Sequence, residues 1–158
     1  MTGKTLDSTF DFSMKYDESK KRTSAFEFRG DEGITIEFWL KPDSISGVPT
    51  QRAIAHVSGA NGEILLQQRD DKLDFQMNSG SATIAFQTSA NFLNTEWNHY
   101  ALTVLSSSTG LNFKAYKNGQ LEEEGTDNSS NLTNLLPTSD CLNLRIAKRF
   151  DNDRQFAG

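Results

Sequence analysis

The chain has 158 residues, which suits one domain that buries a core without disulfide or metal staples, and we expect residues 1–158 to form that single domain. With 21 acidic against 16 basic residues, the formal charge of −5 argues against the basic surface that a nucleic-acid partner needs. The sequence has no apolar run of about 18 residues and no hydrophobic signal region near its start, so we expect neither membrane insertion nor a signal peptide.

Alternation of apolar and polar residues predicts a succession of short strands. Residues 10–16 alternate in this way, and Phe26 and Phe28 begin a second strand. From Ile34 the apolar positions recur at every second residue until Pro42, which ends the ladder because proline has no N–H group. Further strands are predicted at residues 53–57, 64–69, 72–78 and 82–88, and residues 89–96 are predicted to form a short turn that holds Phe92 and Leu93 against the core.

The clearest pattern lies between Trp97 and Leu121. Two strands with inward apolar residues precede Asn118-Gly119, a dipeptide that tolerates the positive φ angles of a type I′ hairpin turn. Residues 120–125 return as a strand, and the last predicted strand covers residues 141–148. The residues predicted to point inward are Tyr100, Leu102, Val104, Leu111, Phe113 and Ala115 around the hairpin, and Leu142, Leu144 and Ile146 in the last strand.

Strands of this number and spacing predict an all-β fold, a two-sheet antiparallel β-sandwich. The motifs W-N-H-Y-A at residues 97–101 and Y-K-N-G at residues 116–119 resemble the signature of laminin-G-like domains in the concanavalin-A-like lectin/glucanase superfamily. The F-A-G motif at residues 156–158 resembles the approach to the last strand of that family. The resemblance implies a concanavalin-A-like jelly roll whose final strand would be missing after Gly158.

The resemblance also implies a function. We expect a non-catalytic recognition module that binds glycans or a glycoprotein surface, displayed outside the cell or on a particle as a module of a larger chain or assembly. A second hypothesis is a protein-binding or structural module of an adhesin or virion, in which a sheet face packs on protein subunits. A third is a glycosidase-like enzyme of the same superfamily.

The sequence offers little support for an enzyme. Retaining glycosidases need two carboxylates about 5 Å apart across the sugar, and the E-x-D-x-x-E spacing of laminarinase-type members does not occur. The consecutive residues Glu122, Glu123 and Glu124 are better explained as a solvated edge strand. Of the two histidines, His56 and His99, the second lies inside the fold signature, where we expect a structural histidine hydrogen-bonded beside Trp97.

Three residues are candidates for glycan binding. Trp39 falls out of phase with the apolar face of its strand, and Tyr116 is likewise out of phase, next to Lys114. Aromatic rings on a polar sheet face can stack against the C–H faces of a sugar. The alternative is that a loop covers Trp39 and makes it part of the core.

The resemblance further implies a calcium site. Related domains hold Ca²⁺ in rim loops through carboxylate and amide oxygens, the hard ligands that this ion prefers. Asp151, Asn152 and Asp153 precede the F-A-G motif and are the candidate ligands, with Asp127-Asn128 in a second loop. The alternative is a plain turn, which these residue types also favour.

Overall fold

Every regular element in the described part of the chain is a β-strand. The computed structural model describes residues 33–46, 51–58, 62–79, 82–107, 110–128 and 143–147. The predicted strands at residues 10–16 and at Phe26 and Phe28 lie outside these ranges. The described strands are β1 (Ile34–Leu40), β2 (Arg52–Ser58), β3 (Gly62–Arg69), β4 (Lys72–Ser79), β5 (Ala82–Gln87), β6 (Asn98–Ser107), β7 (Gly110–Lys117), β8 (Gln120–Asp127) and β9 (Asn143–Ile146).

These strands form two sheets in which all pairings are antiparallel. One sheet has the order β1-β6-β7-β8 and the other the order β5-β4-β3-β2-β9. The strand alternation read from the sequence therefore gives the correct fold class, an all-β antiparallel sandwich. The first strand pair, β1 with β6, aligns Trp39 with His99 and Glu37 with Ala101.

The core lies between the two sheets. Strand β6 contributes Tyr100, Leu102 and Val104, all with no exposed surface, as its alternation predicts. The opposite sheet contributes Phe75 and Met77, which are equally inaccessible. A fully buried side chain of this size stabilises the folded state by about 1.5–3 kcal/mol relative to an exposed one, so this layer is the main source of stability.

A phenylalanine stack joins the sheets. The ring of Phe86 in β5 lies parallel to that of Phe113 in β7, with ring centroids 5.1 Å apart, and Phe75 in β4 lies 5.9 Å from the same ring. Gly125 is the partner of Phe113 in β8, and a Cβ atom there would lie only 2.8 Å from Phe86. Because Gly125 has no side chain, the Phe86 ring has space to pack on Phe113.

The segment between β5 and β6 connects the two sheets and is held by contacts with β6, β7 and β8. Phe92 and Leu93 are buried as predicted, and the Phe92 ring packs on Tyr100 at 5.5 Å. The Lys117 ammonium donates to the Phe92 carbonyl at 2.9 Å. At the start of the segment, the backbone N–H and hydroxyl of Ser89 donate to the Glu123 carboxylate at 2.7 and 2.9 Å. This crossover is therefore a fixed part of the sandwich.

An asparagine network closes the hairpin between β7 and β8. Asn118 and Gly119 have φ angles of 52° and 80°, as a type I′ turn requires. The Asn118 amide donates to Asn98 Oδ1 at 2.8 Å and its Oδ1 accepts the His99 backbone N–H at 3.0 Å. Asn98 in turn donates to Asn94 Oδ1 at 2.7 Å. The two sequence motifs are thus a single hydrogen-bonded unit.

One predicted side-chain direction is wrong. Ile146 is 56% exposed rather than inward, because β9 lies at the edge of the described sheet and the chain turns away at Ala147, whose φ is 61°. In β8 a register shift places Leu121 opposite Tyr116 and Glu123 opposite Ala115. Glu122 is the extra residue of a β-bulge, and it is exposed like Glu124, whereas Glu123 between them is half-buried.

The contact at Gly110 gives a stability prediction. Its φ is 143°, and a Cβ atom would collide with the Asp127 carbonyl oxygen. We expect Gly110→Ala to lower the free energy of unfolding by about 2–4 kcal/mol, because backbone strain and overpacking add. Gly119→Ala is the control: its φ of 80° is strained, but no atom lies within 4 Å, so it should cost only about 1–2 kcal/mol. Equal urea midpoints for the two variants would contradict the steric explanation.

Candidate functional site

The outer surface of the four-stranded sheet brings the three predicted glycan-binding residues together. Strand β1 carries Trp39, and β7 carries Tyr116 and Lys114 two residues apart. The register aligns Trp39 with His99 and Tyr116 with Ala101, so all of them lie on the side away from the core. We call this surface the Trp39 face, which comprises Glu37, Trp39, His99, Ala101, Lys114 and Tyr116.

Trp39 is the most prominent residue of the Trp39 face. Its side chain is 65% exposed, so the alternative of a tryptophan covered by a loop does not describe the structure. The indole lies 5.4 Å from the His99 ring at an angle of 53°. Because the neighbouring ring supports one edge, the indole presents a flat apolar surface to solvent.

His99 has a different neighbour from the one predicted. Its ring packs on Trp39 rather than beside Trp97, and its Nε2 lies 3.8 Å from Glu37 Oε2. Its backbone N–H donates to Asn118, which ties the position of the ring to the hairpin. The correction follows from strand pairing: residue 99 sits opposite residue 39, a relation that spacing along one strand cannot give.

Ala101 and Leu121 complete the surface and were not identified from the sequence. Ala101 stands between Glu37 on one side and Tyr116 on the other, and Leu121 follows Tyr116 in the next strand with 49% of its surface exposed. An alanine in a strand carries no chemical signal of its own. Only the register shows that it lies between Glu37 and Tyr116.

The predicted calcium ligands cannot be placed. Asp151, Asn152 and Asp153 lie outside the described residues, whereas Asp127 ends β8 and Asn128 follows it. Within the described ranges, no three His, Cys, Asp or Glu side chains converge in a way that fits a metal ion. The calcium site at residues 151–153 stays a prediction.

The five-stranded sheet has a buried polar layer on its side away from the core. Glu63 accepts from the Asn78 amide at 2.8 Å, and its other oxygen lies 2.8 Å from His56 Nε2. Farther along, the Gln67 amide donates to Asp74 Oδ2 at 2.9 Å, and both of these residues are almost inaccessible. Sequence alternation gives no sign of this layer, because polar residues of a strand are ordinarily assigned to solvent.

Burial raises the pKa of Asp74 above its usual value of 3.8, although the hydrogen bond from Gln67, the charge of Arg69 and the hydrogen bond from Gln76 oppose the shift. The buried Gln67 Oε1 atom has no hydrogen-bond partner among the described residues. A neutral group at residue 74 that can donate a hydrogen bond therefore suits this position better than a carboxylate.

Comparison with known proteins agrees with this architecture. Residues 17–158 match a laminin G family model described as the Concanavalin A-like lectin/glucanases superfamily. Domains LG4-5 of the mouse laminin alpha1 chain have a similar fold, with a TM-score of 0.52 and 12% sequence identity over 92% of this chain. The chain spans about a third (33%) of the length of that structure. No curated protein sequence matches the chain.

The described residues contain no helix long and apolar enough to cross a membrane.

The buried carboxyl of Asp74 yields a prediction of pH dependence. Because its folded-state pKa is raised, the native protein loses stability as the pH rises from about 3.8 through that pKa and the carboxylate ionises. We expect the stability of Asp74→Asn relative to the parent to increase with pH over this window, since the amide does not ionise and can donate to Gln67.

Urea unfolding measures this difference at pH 4, which is close to the ordinary Asp pKa of about 3.9, and at pH 7. Asp70→Asn is the control, because Asp70 is exposed in a turn and its φ of 55° is one that asparagine tolerates. A difference between Asp74→Asn and the parent that does not change with pH would contradict the prediction.

Proposed function

The chain belongs to the laminin-G-like domains of the concanavalin A-like lectin/glucanase superfamily, and from this premise we propose that it is a non-catalytic recognition module that binds glycans through the Trp39 face. The observation that supports the proposal most directly is the exposed indole of Trp39 beside the His99 ring. The large aromatic side chains of a soluble domain are usually buried, so a ring that is 65% exposed on a regular strand is a reason to expect a ligand.

The chemistry of the Trp39 face suits a sugar. A pyranose ring has an apolar C–H face and a rim of hydroxyl groups, so it needs a flat apolar platform beside hydrogen-bonding groups. Trp39 offers the platform, the neighbouring Glu37 carboxylate is 68% exposed and can accept hydroxyl hydrogens, and Lys114 can donate. The Glu37 carboxylate lies 3.8 Å from His99 Nε2, so the acceptor group and the ring are neighbours on this surface.

The setting of the module follows from the same premise. We propose that it is displayed outside the cell or on a particle surface, as part of a larger chain or assembly. Calcium assistance through Asp151, Asn152 and Asp153 belongs to the proposal as well, since carboxylate and amide oxygens are suitable ligands for that ion.

A protein partner is the second candidate. Leu105 and Leu121 are 46% and 49% exposed on the same sheet as Trp39, which extends the apolar surface across the strands. A broad apolar surface favours a protein contact over a small sugar site. Binding of glycans by the isolated protein distinguishes the two candidates.

Substitution of Trp39 tests the role of the platform. We expect Trp39→Ala to weaken glycan binding at least about tenfold, because loss of aromatic stacking and burial costs more than about 1.4 kcal/mol. The melting temperature should change little, since the ring is mostly exposed. Ile146→Ala is the matched control, because it removes an apolar side chain that is 56% exposed on the other sheet. Unchanged binding by Trp39→Ala would show that the Trp39 face is not the site.

A glycan array run in calcium and again in a chelator tests the ligand and the metal together. Binding that requires calcium supports the proposed site at Asp151, Asn152 and Asp153. Binding that persists in the chelator supports glycan recognition and removes the metal from the proposal. Absence of binding in both conditions contradicts glycan recognition and favours the protein partner.

A further inference from the structure

The two aromatic residues of the Trp39 face stand on strands that are not neighbours. Trp39 lies on β1 and Tyr116 on β7, with β6 between them. On β6 the outward residue beside Tyr116 is Ala101, whose side chain is a single methyl group. Ala101 pairs with Glu37 on its other side, so the Trp39 and His99 rings lie one outward position farther along the sheet than Tyr116.

The register gives the distance between Trp39 and Tyr116. Trp39 and Tyr116 are two strands apart and offset by two residues along the strand, because Trp39 pairs with His99 and Tyr116 with Ala101. With strands about 4.8 Å apart and a rise of about 3.4 Å per residue, their Cα atoms are about 12 Å apart. One sugar ring is too small to rest on both aromatic rings.

We propose that the ligand is a linear, uncharged oligosaccharide longer than a disaccharide that crosses β1, β6 and β7. One sugar ring packs on Trp39, another on Tyr116, and the unit between them lies over Ala101. This inference rests on the proposed glycan-binding function and adds to it the length, direction and charge of the ligand.

The charges of the surface support an uncharged ligand. Glu37 next to Trp39 is acidic, and Lys114 next to Tyr116 is aligned with Glu124 across the β7–β8 pair. A sulfated or uronic-acid chain needs several unopposed cations in a row, as phosphate chains do. Here Lys114 faces Glu124, and Glu37 lies on the other side of β6, so the described residues of this surface form no such row of cations and suit hydroxyl groups, which both donate and accept.

The length of the ligand is tested by isothermal calorimetry with cello-, chito- and manno-oligosaccharides, each from the monosaccharide to the tetrasaccharide, and with a heparin-derived tetrasaccharide. We expect affinity to rise about tenfold when the trisaccharide is reached, because the second aromatic ring is then engaged. A monosaccharide or disaccharide that binds as tightly as the trisaccharide would overturn the inference. So would tighter binding of the heparin fragment than of any uncharged chain.

These outcomes are separable from failure of the proposed function. If short or anionic glycans bind, glycan recognition stands and only the inference about length and charge falls. If no oligosaccharide binds and the glycan array is also empty, both fall together. If the array shows binding but none of the cello-, chito- and manno-oligosaccharides binds, only the inference about the ligand is overturned.

Ala101→Leu tests the path of the oligosaccharide, because it adds bulk next to Tyr116 and leaves both aromatic side chains in place. We expect it to weaken trisaccharide binding about tenfold and to leave the binding of a monosaccharide at Trp39 unchanged. Thr103→Leu is the control, since residue 103 is the next outward position of β6, aligned with Thr35 and Lys114 rather than between the two rings.

If Ala101→Leu does not fold, Tyr116→Ala replaces it. That variant removes one platform, so the affinity gain at the trisaccharide should disappear while disaccharide binding at Trp39 remains. Retention of the full gain would overturn the proposed path.

Discussion

The stack of Phe86 on Phe113 is the contact on which the arrangement of the two sheets depends. The parallel rings fix how β5 lies over β7, and the absent side chain at Gly125 lets them approach. Because protein interiors are closely packed, two sheets that are joined at one point by large rings cannot slide far past one another. Phe75 reaches the same ring from the adjacent strand β4, so the contact involves three strands of the two sheets.

The surface of the four-stranded sheet follows from what lies beneath it. Strand β6 places Tyr100, Leu102 and Val104 in the core, so the intervening residues His99 and Ala101 must face outward. The same core that stabilises the domain therefore sets the positions of the outward residues of the Trp39 face. The asparagine network around Asn118 anchors the start of β6 at Asn98 and His99 and so restricts movement of the Trp39 face.

Much of the fold could be predicted from alternation alone, because a strand with one buried face repeats every second residue. The bounds of β1, the inward residues of β6 and β7, the Asn118-Gly119 turn and the burial of Phe92 all came from local patterns. So did the placement of Trp39, Tyr116 and Lys114 on one side of their strands.

The rest depends on which strands pair, and in what register. The partner of His99, the bulge at Glu122 and the exposure of Ile146 are set by residues far away in the sequence. The polar layer around Gln67 and Asp74 is invisible to alternation for another reason. A polar residue is buried only when a specific partner satisfies it, and the sequence does not show that partner.

The position of the two tryptophans determines what intrinsic fluorescence can report. Trp39 and Trp97 are the only tryptophans, and they are 65% and 64% exposed in the folded chain. Their emission therefore senses the solvent side of the sandwich, whereas the fully buried aromatic rings, such as Tyr100 and Phe113, emit little at those wavelengths. The optical signal of this protein is accordingly a probe of what touches its surface and a poor measure of whether its core is intact.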